Sequence, residues 1–242
     1  MQPLQQLKAD LKSIANPEKA KILAGFFKTG KGQYGEGDVF LGIMMPQQRL
    51  IAKKYAYLPL KDIKTLLSST VHEHRVIALL LLVSQFRKTD EAGKKKIAGF
   101  YLENTKLINN WDLVDLSAPY ILGEHLHGKD AALLSRLAAS DNLWERRIAI
   151  IATFAFIRRN KFGDTLRIAE VLLHDHHDLI HKAAGWMLRE VGKRDVKTLE
   201  RFLVEHAPAM PRTMLRYAIE RFDYEKRRQW LGQKAGRGTS AA

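Results

Sequence analysis

Arg147-Ile148-Ala149-Ile150 opens an apolar helical run, and the same pattern recurs on both sides of it. Arg75-Val76-Ile77-Ala78, Trp111-Asp112-Leu113-Val114, Lys182-Ala183-Ala184-Gly185 and Arg216-Tyr217-Ala218-Ile219 each begin with a cation or an indole and continue with small or apolar residues. Counted from Arg75, the five starts are separated by 36, 36, 35 and 34 residues. A helical period in this range indicates stacked helix pairs whose neighbours share one core, and it predicts an all-α solenoid, a curved superhelix. Equivalent positions then line one face, commonly the concave one, with Trp111, Arg147 and Lys182 in a single row. The alternative is a coincidence of similar helix-pair lengths.

The remainder of the chain agrees with helices. Leu133/Leu137, Ile148/Ile151/Ala155 and Ile168/Leu172/Leu173 keep helical spacing, and alternating runs are nearly absent. Breakers fall at Asn16-Pro17, Thr29–Asp38, Pro46, Pro59, Thr89–Gly93, Asn109-Asn110, Pro119, Gly123–Asp130, Ser140–Asn142, Asn160–Asp164, His174–Asp178, Gly192–Asp195 and Pro208–Pro211. They divide the chain into about a dozen helices of ordinary length. Residues 1–231 read as one domain, and the run from Gly232 to Ala242 reads as a flexible basic tail.

The 242 residues are 46% apolar and carry 40 Lys+Arg against 26 Asp+Glu, for a net charge of +14 and a pI near 9.9. That excess concentrates polyanions near the surface, with nucleic acid the leading partner; ribosomes, acidic membranes and simple solubility are the other readings. The absence of cysteine excludes disulfides, thiolate metal sites, iron–sulfur clusters and a thiol nucleophile. Leu4–Ile14 has a helix-compatible polar pattern without the features of a secretory signal, and the expected location is the cytoplasm. The longest apolar run, Val76–Val83, is far short of the ~20 residues that cross a bilayer.

Most motif matches are weak. Gly30-Lys31-Gly32-Gln33-Tyr34-Gly35 fits G-x-G-x-x-G, but it follows a helix and no βαβ unit surrounds it. It reads as a mobile basic loop, with Lys31 either touching a phosphate backbone or simply joining two helices. His174-Asp175-His176-His177-Asp178 with His181 is the best metal candidate; the plainer reading makes Asp178 the N-cap of the helix that carries Trp186. No nucleophile elbow or Walker loop occurs, which disfavours the familiar hydrolases and kinases. Trp111 and Asp115 lie four apart, on one helix face, with Leu113, Val114 and Leu116 free to pack behind. Taken singly, Asp115 reads as a surface or capping carboxylate and Trp186 as core.

Together, Asn110-Trp111-Asp112-Leu113-Val114-Asp115 with its continuation to Gly123, Ser140–Ile150, His181–Glu190, Asn16–Lys19 and Phe40–Ile43 resemble the AlkD-type DNA alkylation repair family. The likeness runs to about residue 230. It implies a HEAT-like α-α solenoid and a DNA glycosylase that removes N3- and N7-alkylated purines from double-stranded DNA as a monomer, without a cofactor or a metal. It further implies that Asp115 is the catalytic carboxylate, that Trp111 and Trp186 contact the lesion-bearing backbone and that Arg147 completes the site. The resemblance likewise implies that Lys182 and Arg189 hold nearby phosphates, with Arg146 in the place of Arg147 if the register is one residue out. Phe26 stands where members can carry Tyr, and Asn110 where an aromatic often precedes the Trp. Two other classes are open: a non-catalytic HEAT-like module that binds DNA or RNA, and a metal-dependent hydrolase centred on His174–His181.

Overall fold

The computed structural model describes residues 2–129 and 131–232, and every regular element among them is helical; the sole extended feature is an isolated bridge between Val39 and Val71. The described residues form two compact units that divide between His125 and Leu126. The first contains α1 (Pro3–Ser13), α2 (Pro17–Phe26), α3 (Met45–Lys54), α4 (Leu60–Leu67), α5 (His72–Lys88), α6 (Glu91–Glu103) and α7 (Trp111–Asp115). A π-helix, Pro119–Gly123, and α8 (Glu124–Leu126) follow. The second contains α9 (Ala132–Ala138), α10 (Leu143–Ala152), α11 (Phe154–Ile157), α12 (Gly163–Val171), α13 (Asp178–Gly192), α14 (Val196–His206), α15 (Arg212–Ala218) and α16 (Tyr224–Gly232). Within each unit, helices pack on neighbours close in sequence, as stacked helix pairs do: α4 and α3 on α5, α9 on α10, and α14 and α15 on α13. No helix among the described residues is long and apolar enough to cross a membrane. Of the tail expected from Gly232, only Gly232 itself lies within the described residues.

Several breakers act inside helices. Pro17 and Pro46 sit in the first turns of α2 and α3, where the missing N–H would have had no intrahelical partner. Gly123 lies within the π-helix, and Glu124–Leu126 is helical where a loop was expected. The repeat register is visible in four of the five helices: Arg75 is the fourth residue of α5, while Arg147, Lys182 and Arg216 are each the fifth of α10, α13 and α15; Trp111, expected in the same row, is instead the first residue of α7. Gly185 lets two of these helices meet, because a Cβ there would fall 2.4 Å from the Met214 carbonyl oxygen on α15.

α5 is the central helix of the first unit and is largely buried, with Val76, Ile77, Ala78, Leu79, Leu81 and Leu82 at 0–1% exposure. Its first turn also buries Glu73. The Glu73 carboxylate accepts hydrogen bonds from the backbone N–H groups of Leu41 (3.0 Å), Gly42 (2.9 Å) and Ile43 (3.2 Å), which fastens the segment before α3 to α5. Gly42 has φ +77°, and a Cβ there would stand 2.1 Å from the Asn16 carbonyl oxygen, so that segment also lies tight against the start of α2. Removing the carboxylate strands buried N–H donors that each cost about 1–3 kcal/mol. Glu73→Ala is expected to lower the stability of the first unit by about 3 kcal/mol or more, read as a lower urea midpoint; an unchanged midpoint would show that the carboxylate holds nothing.

Candidate active site

α7 is short for identifiable reasons. Asn110 is fully buried and its Oδ1 accepts from the Trp111 N–H at 2.8 Å, while Asp112 Oδ1 accepts from the Leu113 N–H at 2.8 Å. At the other end Pro119 stands four residues after Asp115, where its ring removes the donor that the Asp115 carbonyl would have met. The α-helical ladder already breaks at Ser117, whose N–H turns to the Val114 carbonyl at 3.1 Å while its hydroxyl takes the Leu113 carbonyl, and Pro119 keeps it from resuming. The chain continues as a π-helix, whose bond from Gly123 N–H to Ala118 O is 2.9 Å; such turns are often found at functional sites.

Leu113 and Val114 are fully buried, so Trp111 and Asp115 occupy the other side of α7, both half-buried and one turn apart. Below them the Ser117 hydroxyl donates to the Leu113 carbonyl at 2.6 Å, which leaves the Tyr101 hydroxyl to donate to Ser117 Oγ at 3.0 Å. Burial raises the Tyr101 phenol beyond the usual tyrosine range against the pull of Ser117, and the nearby negative charge of Asp115 adds to the rise.

Trp111 belongs to a stack of rings. Its indole lies parallel to Phe27 (centroids 5.2 Å apart, 17° between planes), and Phe27 lies on Phe40 (5.1 Å, 19°). Phe26 meets Trp111 edge-on at 5.8 Å and is itself 61% exposed, so it extends the indole surface toward solvent. Behind the stack is a charged cluster that the sequence reading missed. His72 Nε2 is 2.8 Å from Asp112 Oδ2 and its Nδ1 is 3.3 Å from Asp38 Oδ2, an oxygen that also takes an Arg75 Nη2 bond of 2.5 Å. Burial disfavours charge on His72, but the bonds to Asp112 and Asp38 outweigh it and raise the imidazole to about 9. Burial would likewise raise Asp38; the bonds from His72 and Arg75 prevail and hold it below the usual carboxylate range. These partners are 34 and 40 residues apart in the chain.

In the second unit α13 carries Lys182, Trp186 and Arg189 on one stripe. Trp186 donates from Nε1 to Glu190 Oε1 at 3.2 Å and lies 6.2 Å from the Phe154 ring, over which the Arg158 guanidinium sits at 5.3 Å. Phe154 and Arg158, one turn apart, were not singled out in the sequence. Lys182 pairs with Asp178 at 2.6 Å, and Arg189 pairs with Glu220 and stands 3.8 Å from Glu190. Arg147 is 5% exposed and donates from Nη1 to the Leu179 carbonyl at 2.7 Å, which secures the first turn of α13. Arg146 binds Asp175 at 2.6 Å and the carbonyls of Ser140 and Asp141 at 2.9 Å.

The N-cap of α13 is His177, whose Nδ1 accepts from the Leu179 N–H at 3.1 Å, rather than Asp178. Burial lowers His177 and favours the neutral ring that this bond requires. His181 Nε2 lies 2.6 Å from the Asp175 carbonyl oxygen, and among the described residues no three His, Asp or Glu side chains are placed to hold a metal. Lys31 is exposed on a loop closed by its own bonds, including Gly32 N–H to Glu36 Oε2 at 2.7 Å. The first unit also has a groove of about 300 Å³ in which Arg49, Lys53, Arg87 and Lys88 surround Ala52, Ala56, Leu80 and Val83; Arg87 lies 4.9 Å over the Tyr120 ring.

Comparison with known proteins adds a family to this geometry. A family model described as DNA alkylation repair enzyme matches residues 7–222. A predicted DNA alkylation repair enzyme from Enterococcus faecalis has the same fold, with a TM-score of 0.70 and 18% identity over 87% of this chain and 97% of that one. Comparison with curated proteins gives no match. With the match spanning α2 to α15, the chain belongs to the DNA alkylation repair enzyme family.

Proposed function

We propose that this chain is a DNA glycosylase that hydrolyses the N-glycosidic bond of cationic N3- or N7-alkylated purines in duplex DNA, with Asp115 as its catalytic carboxylate. The observation that carries the reading is the pairing of Asp115 with Trp111 on the outer side of a helix whose inner side is fixed by buried residues. In this reading the protein acts as a cytoplasmic monomer at the nucleoid and starts base excision repair.

The chemistry asks little of the protein. Alkylation at N3 or N7 gives the purine a positive charge, so it departs as a neutral base when the glycosidic electrons move onto it, and no general acid is needed. The deoxyribose left behind is oxocarbenium-like. A carboxylate beside it stabilises that charge and orients a water, whose oxygen bonds to C1′ and whose proton leaves to solvent. The face of Trp111 favours that developing charge by about 0.5–2 kcal/mol. Lys182 and Arg189 exchange their carboxylate partners for phosphates, and Arg147 keeps α13 in place for them. Phe26 and Lys31 meet the backbone beside Trp111, and the Arg49–Lys88 groove suits the same polyanion. A ledge of this kind need not enclose the base, unlike sites that work by base flipping.

Three measurements test the reading. Asp115→Asn is expected to cut single-turnover release of 7-methylguanine or 3-methyladenine about 10²-fold or more while DNA affinity holds; release at the parental rate would remove Asp115 from the reaction. Trp111→Ala should slow the same step by about 2- to 30-fold, the range that one cation–π contact spans. Lys53→Gln with Lys88→Gln should weaken binding to undamaged duplex and make its salt dependence shallower by about two units of slope, one for each lost phosphate contact. An unchanged slope would take this groove out of the DNA interface.

A further inference from the structure

We infer that His72 is a positioning residue for the proposed reaction: clamped as an imidazolium between Asp112 and Asp38, it fixes the plane of the Trp111 indole and the seat of α7, and through α7 the place of Asp115. The protonation state follows from the contacts. Each ring nitrogen faces a carboxylate oxygen, at 2.8 Å and 3.3 Å. A carboxylate only accepts, so a ring that makes both bonds carries hydrogen on both nitrogens. With Arg75 on Asp38 the cluster holds two cations and two anions, which is how Asp38, His72 and Arg75 stay buried beside the partly buried Asp112.

His72 reaches the site by two routes. Asp112 is the second residue of α7 and accepts the Leu113 N–H with its other oxygen, so the imidazolium holds the first turn of that helix directly. The ring of His72 also stacks on Phe40 (4.6 Å, 22°) and lies 5.0 Å from Phe27, the ring that carries Trp111. The charged groups facing it are Asp38 from the segment before α3, Arg75 from α5 and Asp112 from α7, with Phe27 and Phe40 supplying the aromatic walls. When His72 loses a proton, Nδ1 becomes an acceptor and can take a bond from Arg75 Nη2, now 3.4 Å away. The Asp112 bond then loses its charge assistance, and Asp112 faces a neutral ring. Because the folded value near 9 exceeds the free value of 6.5, the clamp contributes its full stability below pH 6.5 and loses it progressively as pH rises through 9.

The inference rests on the glycosylase reading for its catalytic consequence only, and the experiment separates the two. In the parental chain, NMR should show the His72 ring titrating near pH 9 and the Trp111 indole N–H signal moving with the same midpoint; an indole that ignores the His72 midpoint overturns the clamp even if no base is excised. In excision, His72→Gln should slow release of 7-methylguanine about tenfold with DNA affinity kept, and Asp112→Asn should do the same. The double variant, in which an uncharged amide pair replaces the ion pair, should be no slower than either single variant. Losses that multiply, or a His72→Gln protein that excises at the parental rate, would refute the positioning role. A parental chain that excises nothing would instead refute the glycosylase reading.

Discussion

The first turn of α5 buries three ionisable side chains, and buried charge must be paired or become too costly to keep. His72 and Arg75 answer Asp38 and Asp112, and Glu73 answers three successive backbone donors. These bonds tie α5 to the segment before α3 and to α7. The same segment lies against the start of α2, where the Asn16 N–H meets the Leu41 carbonyl at 2.8 Å. One helical turn thus fixes the neighbours of the candidate site. Apolar packing alone leaves a short helix such as α7 free to slide, whereas directional bonds to Asp112 do not.

The second constraint is Pro119. Together with Ser117, whose hydroxyl takes the Leu113 carbonyl in place of its N–H, it separates the Trp111–Asp115 face from the π-helix that follows, and the buried Tyr101–Ser117 pair fills the space beneath. Membership of a DNA alkylation repair family gives this arrangement a reason. In the proposed reaction the leaving group already carries charge, so a held anion and rings of the right polarity suffice, and α7 brings a carboxylate and an indole within one turn.

Much of this was legible in the sequence, because it depends on local periodicity. Arg75, Arg147, Lys182 and Arg216 recur at a helix-pair period, and they take matching places in α5, α10, α13 and α15. The face shared by Trp111 and Asp115 follows from their spacing in the same way. What escaped was either non-local or decided by geometry. Asp38, His72 and Asp112 are brought together from segments 34 and 40 residues apart, and no spacing rule links them. The polar cluster at the start of an otherwise apolar α5 was the available signal. His177 caps α13 in place of Asp178 because its ring nitrogen lies where the Leu179 N–H points, a choice of one residue that composition does not determine. The buried course of Arg147 to the Leu179 carbonyl also depends on how α10 and α13 pack.

The most direct measurement uses the unmodified chain and a duplex that contains a single 7-methylguanine, without added metal or cofactor, with free base and abasic strand quantified together by mass spectrometry. The account predicts both products in equal amounts, appearing at a rate set by the enzyme. Saturated binding of that duplex with neither product formed would contradict it.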